Sequence, residues 1–130
     1  MLPVSDAASE PVILVCIGAR SRALPAILGN GVFCVNILGE DHAGIADRFA
    51  GRERTDKQGW FDDGHWATLV TGAPVLQSAI AAFDCRVVSS SAVTGHEVLL
   101  GAVHAVHFAD AGSPLLHTRR VYQRLGPSLP

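Results

Sequence analysis

Apolar and polar positions divide the chain into a strand and helix alternation at the start, a polar middle and a long alternating second half. Val12–Ile17 (VILVCI) is an unbroken run rich in β-branched residues, the pattern of a strand covered on both faces. Between Arg20 and Leu28 apolar residues recur at 24, 27 and 28, Pro25 suits a first helical turn and Gly29-Asn30-Gly31 is a stop signal, which together predict a short helix. Val32–Leu38 predicts a second strand. Gly39-Glu40-Asp41-His42 then leads into a helix with Ile45, Ala46, Phe49 and Ala50 on one face.

From Gly51 to Gly72 no period is sustained: Arg52-Glu53-Arg54-Thr55-Asp56-Lys57 precedes Trp60 and Trp66, and the segment reads as an excursion. Alternation returns from Phe83 to Val88 and from Gly101 to Phe108, on either side of the turn-like Ser89–Gly95, which predicts a long antiparallel hairpin. Pro114–Thr118 predicts a short last strand that closes the sheet. Antiparallel strands with helices only as excursions make the fold mainly β, a barrel or an α+β arrangement and not a doubly wound sheet.

Composition narrows the class. At 130 residues the chain is one domain, 1–130, and 48% hydrophobic against 17% charged residues is a globular balance, not a disordered one. The surplus of Val, Leu, Ile and Ala points to an oligomer interface, because a chain this size buries only about two-thirds of its unfolded surface. A net charge of -2 supplies no field for a nucleic-acid backbone. The longest apolar run falls well short of the ~20 residues that span a bilayer, and the first residues lack the basic and apolar regions of a secretory signal, so the cytoplasm is the expected compartment. Cys16, Cys34 and Cys85 show no paired spacing and read as buried thiols, with neither disulfide nor metal site.

Candidate chemistry is sparse. Arg20-Ser21-Arg22, between the first strand and a helix, offers backbone N–H groups, a hydroxyl and two guanidiniums, which suit a phosphate; an N-cap by Ser21 beside two solvated arginines is the plainer alternative. His96 sits at a hairpin tip that can present an imidazole to a ligand, although on spacing alone an exposed turn histidine is the commoner case. His104 and His107, three apart on a strand, face opposite sides and do not share a metal. Trp60, Phe61 and Trp66 cap a pocket or anchor their loop, and Arg119-Arg120 holds an anion or is solvated. The glycines form neither GxGxxG nor a P-loop, and no Ser-His-Asp, Cys-His or paired-carboxylate set can be assembled, which leaves a small hydrolase without a nucleophile.

Taken in order, VILVCI (12–17), RSRALP (20–25), GVFCVNIL (31–38), ADRFAG (46–51), GAPVL (72–76), FDCRV (83–87), TGHE (94–97) and PLLHTRR (114–120) resemble the flavin reductase-like family across most of the chain. The resemblance implies an FMN-binding split β-barrel, a homodimer with flavin near its interface, and NADH- or NADPH-dependent reduction of FMN or FAD for a partner flavin-dependent monooxygenase. It places Arg20, Ser21 and Arg22 at the flavin phosphate or ribityl chain, His96 near flavin and nicotinamide as the catalytic residue, and Arg119 with Tyr122 at the C-terminal end of the site. Family members carry a further N-terminal portion ending in a Thr/Ser-rich segment at the flavin ring. Ser5, Ala7 and Ser9 compete for that place here, and Ser5 is the candidate taken. Ala23 replaces a Thr or Ser common in the family. The alternative reading is a non-catalytic flavin-binding or truncated interaction module of the same fold.

Overall fold

A computed structural model describes residues 2–3, 10–51, 61 and 65–129 of the chain. The strands are β1 (Leu2–Pro3), β2 (Val12–Gly18), β3 (Val32–Ile37), β4 (Trp66–Ala67), β5 (Val75–Leu76), β6 (Ala81–Val93), β7 (His96–Phe108), β8 (Leu115–Thr118) and β9 (Val121–Arg124). Two helices, α1 (Leu24–Asn30) and α2 (Ala43–Phe49), lie between the early strands. The main sheet is antiparallel with the order β1-β7-β6-β3, and β2 also pairs with β7. Strand pairs β4–β5 and β8–β9 form two small separate sheets. The result is a mainly β fold with a curled half-barrel sheet.

Two irregularities accompany the curl. The β6–β7 register slips between Asp84 and Cys85 and again between Val87 and Ser89, so His104 and Val88 are the extra residues of two bulges, which bend and twist the strands. Inside the bend Phe33, Cys85, Leu99 and Val103 form the core, with Ile13, Val15, Ile17, Ile27, Val35, Phe83, Val87 and Val106 packed around it. Gly101 is required there: a Cβ would lie 2.4 Å from the Phe33 ring.

Several expectations need correction. The Val12–Ile17 strand is not covered on both faces: exposure alternates along it, with Val12 at 55% and Leu14 at 60%. Its second apolar face points out because, among the described residues, β2 pairs with β7 alone and no element packs over it. Cys16 lies on that face and is exposed, not buried. The first helix starts at Leu24, not Arg20, because residues 18–23 are spent on a turn in which Ser21 N–H donates to Gly18 O at 2.9 Å. Pro25 does occupy the first helical turn, and Gly31 ends the helix with φ 70°.

The Ser89–Gly95 turn shrinks to Thr94–Gly95, and the serine run continues β6 to Val93. The sequence TGH permits a two-residue turn with both φ positive, 39° and 78°, whose twist matches that of the flanking strands. Pro114–Thr118 does not close the main sheet. Pro114 makes an isolated bridge to Gly39, while Leu115–Thr118 pairs with β9, a strand too short and polar for the pattern to reveal. The Arg52–Lys57 run, Trp60 and Ser5 lie outside the described residues.

Candidate functional site

The turn after β2 and the β6–β7 hairpin tip are built side by side. Gly18 pairs with His96, and Ala19 N–H donates to Gly95 O at 2.9 Å, so Arg20, Ser21, Arg22 and His96 share one end of the main sheet. Within the turn the N–H groups of Ser21, Ala23 and Leu24 are used by Gly18 O, Ser21 Oγ and Ser21 O. The Arg20 and Arg22 amides, by contrast, have no acceptor among the described residues, and both arginine side chains are exposed without an ion pair. The expected Ser21 cap is absent: Ala23 is the N-cap residue, and Ser21 Oγ instead accepts from Ala23 N–H at 3.3 Å. Two guanidiniums, two free amides and a hydroxyl on one short turn fit a phosphate group.

His96 is exposed, and its Nδ1 lies 3.2 Å from Thr94 O. A carbonyl can only accept, so Nδ1 carries the proton and Nε2 is left facing outward. Across the arm Ser90 Oγ donates to Glu97, the neighbour of His96.

Arg119 and Tyr122 are anchored elsewhere. Their hairpin begins where Leu115 N–H donates to Leu38 O and Glu40 N–H to Ser113 O, at the end of β3 that pairs with the start of β6. That is the sheet end away from His96, with the 13 residues of β7 running between the two ends. Tyr122 Oη donates to Asp47 Oδ1 of α2 at 2.7 Å, which gives it a structural role. Within one chain the structure therefore brings together the 20–22 turn and His96, and it ties Arg119 and Tyr122 to the opposite end.

Sequence reasoning missed two residues that shape the molecule. Asp84 is fully buried on β6, and its carboxylate accepts from Val70 N–H at 2.8 Å, Thr71 N–H at 2.9 Å and Thr71 Oγ1 at 2.5 Å. Asn36 on β3 accepts from Leu76 N–H at 2.9 Å and donates to Pro74 O at 3.3 Å. Together they clamp the 70–76 strap. The signal for each was a polar residue inside an apolar strand run. The strap walls a cleft of about 360 Å³ lined by Phe61, Trp66, Ala67, Thr68, Gly72 and Pro74. Phe49, Phe61 and Trp66 cluster beside it at 5.0 to 5.7 Å between ring centroids, Phe61 edge to face with both and Phe49 tilted against Trp66, so Phe61 and Trp66 line a pocket and anchor their segment.

Other chemistry falls away on geometry. His42 and Ser78 lie 3.0 Å apart, but His42 Nδ1 accepts from Gly39 N–H at 2.8 Å. Nε2 then carries the ring proton and donates to Ser78 Oγ, so this histidine cannot take the serine proton. Burial, reinforced by the Asp84 carboxylate, pushes the Cys34 thiol up to about 12 and the Cys85 thiol up to about 11. We expect a thiol-specific disulfide reagent to modify Cys16 alone in the folded protein. Because both thiols are raised above the ordinary thiol value of 9.0, they favour the folded state fully below pH 9.0, and that contribution declines as pH climbs through about 11 and 12. Urea melts across that range would show the loss, and a Cys34→Ser/Cys85→Ser variant would lack it.

The comparisons with known proteins decide the family. A family model described as the flavin reductase like domain matches residues 3–126. The chain belongs to the flavin reductase-like family. It is similar to an FMN reductase (NADH), RutF, of Methylorubrum extorquens, 44% identical over 122 residues that make up 94% of this chain and 58% of that protein. A protein of the same name from Variovorax paradoxus is 36% identical over 115 residues, 88% of this chain and 63% of that one. The chain thus spans about three-fifths of the length of these relatives. Among solved structures, nitrilotriacetate monooxygenase component B from Mycobacterium thermoresistibile matches with a TM-score of 0.83 and 30% identity, covering 98% of this chain and 71% of that one. BorF, the flavin reductase component of a bacterial two-component tryptophan halogenase, matches with a TM-score of 0.80 and 26% identity, covering 97% and 79%. The mainly β, split-barrel architecture expected from the sequence is the one these flavin reductase neighbours share.

Proposed function

We propose that this chain is an NADH-dependent flavin reductase domain, residues 1–130, which uses FMN and passes reduced flavin to a partner flavin-dependent monooxygenase. The observation that carries the reading is the contact between the 18–22 turn and the hairpin tip, which sets two exposed arginines, without an ion pair among the described residues, at the same sheet end as the exposed His96. Family membership and relatives named as FMN reductases (NADH) support the choice of FMN and NADH.

In this reading the chemistry comes from the bound pair itself, hydride passing from the nicotinamide to the flavin, and the chain supplies order and charge. Arg20 and Arg22 hold the flavin phosphate by charge-assisted hydrogen bonds, with Ser21 Oγ at the ribityl side. His96, its ring fixed through Nδ1 on Thr94 O, offers Nε2 to the nicotinamide and flavin pair and orients them. Ser5 takes the place beside the flavin ring, and Arg119 and Tyr122 belong to the C-terminal end of the site.

That end and the His96 end are far apart in one chain, so this site needs two chains, and the homodimer is part of the proposal. Val12, Leu14 and Cys16 on the outer face of β2, beside Leu100 and Val98 on β7, provide an apolar surface for a second copy. The cytoplasm, where NADH is generated, is the compartment implied. The test is equilibrium titration of FMN into the full chain, with Arg20→Ala/Arg22→Ala expected to weaken binding at least tenfold (about 1.4 kcal/mol). Equal affinity in the double variant would remove the phosphate role of this turn. Flavin binding without NADH turnover would favour the non-catalytic module.

A further inference from the structure

The β8–β9 hairpin turns through Arg119 and Arg120, with φ of 53° and 67°. Two-residue turns of this mirror-image type favour Asn and Gly, because side chains on such backbone clash with the chain itself. The protein's other two-residue hairpin, Thr94–Gly95, follows that preference at its second position. The β8–β9 turn holds two long side chains at the same cost, and strain kept in this way points to a use for the side chains.

Charge points the same way. Residues 111–130 include Arg119, Arg120, Arg124 and His117 and no Asp or Glu, in a chain of net charge -2. All four are exposed, and among the described residues the three arginines have neither ion pair nor side-chain hydrogen bond. The base beneath them is fixed: the His117 and Tyr122 rings meet at 5.0 Å, Tyr122 Oη is tied to Asp47, and Leu115 N–H donates to Leu38 O at 2.9 Å. A rigid stem thus presents a pair of adjacent guanidiniums.

We propose that the Arg119–Arg120 tip recognises a diphosphate, the pyrophosphate of the dinucleotide hydride donor; this rests on the reductase reading and adds to it the substrate group and Arg120. A pyrophosphate diester carries two negative charges on neighbouring phosphorus atoms, which two neighbouring planar forks can take together. In this reading the 20–22 turn serves the flavin's single phosphate, and the paired guanidiniums of the 119–120 tip, contributed by the other chain of the dimer, serve the diphosphate. An acidic protein surface would be met equally well by flexible lysines along either strand, without a strained turn.

The test compares the full chain with Arg119→Asn/Arg120→Gly, which installs the residues the turn prefers. ADP-ribose is titrated calorimetrically with FMN as control, and thermal melts are run on both proteins. The expected result is a melting temperature raised by several degrees, an ADP-ribose Kd weakened at least about tenfold, a KM for NADH raised to match, and an FMN Kd changed less than about twofold. Higher stability with unchanged ADP-ribose binding would overturn the proposal and leave the arginines merely solvated. Equal loss of FMN and ADP-ribose would also overturn it, by making the tip part of the flavin phosphate site. If the parent chain reduces FMN with NADH yet binds no ADP-ribose, this inference fails while the reductase reading stands. If it binds ADP-ribose through the two arginines but reduces no flavin, the reading of function fails and the diphosphate site remains.

Discussion

Asp84→Ala is expected to cost about 3 kcal/mol of folding stability, a large share of the 5–15 kcal/mol typical of a domain. The carboxylate is fully buried and serves three donors, two strap amides and the Thr71 hydroxyl, all of which lose their acceptor once it is gone. Thr71 Oγ1 also accepts from Ala73 N–H at 3.1 Å, so the loss spreads along the strap. Asp84→Asn keeps one acceptor oxygen and loses less. Urea unfolding of the three proteins measures the series, and an alanine variant as stable as the parent would show that the strap does not depend on this residue.

His96→Ala is expected to lower NADH-dependent FMN reduction between about tenfold and a hundredfold while leaving the melting temperature unchanged. The side chain is exposed and, among the described residues, its one hydrogen bond goes to the carbonyl of its own turn, so its removal costs the fold little. Steady-state rates with circular dichroism as the fold control decide the matter. Unaltered kcat and KM would end the proposed role of His96, and a fall in rate accompanied by a fall in stability would assign it to the hairpin instead.

The elements whose signal is local were legible. Val32–Ile37 and α2 fall where periodicity put them, and Gly31 ends α1 because a left-handed residue was needed there. Local pattern misled where burial depends on what covers a face. Val12–Ile17 is apolar on both sides, which reads as a strand covered on both faces, yet its outer face is left exposed by the described residues. Ser89–Ser91 has turn composition but lies in a strand, since β6 and β7 pair residue by residue up to Val93 and His96. The roles of Asp84 and Asn36 depend on partners 13 to 40 positions away, a separation no spacing rule reaches.

The site was legible in part for the same reason. Arg20-Ser21-Arg22 showed itself as a turn with free donors, and the Gly18 and His96 pairing that joins it to the hairpin tip is long-range. Arg119 and Tyr122 could be linked to that site only through family resemblance, and the fold ties them to the opposite end of the chain's own sheet. The proposed homodimer would reconcile the two.

Flavin reduction by this chain is measured directly by the initial rate of NADH oxidation, followed by absorbance, with purified chain and excess FMN against an otherwise identical mixture without protein. The expected result is a rate above the protein-free control that is proportional to protein and falls at least about tenfold in His96→Ala. A folded chain that binds FMN but leaves the NADH rate at the control level would contradict it.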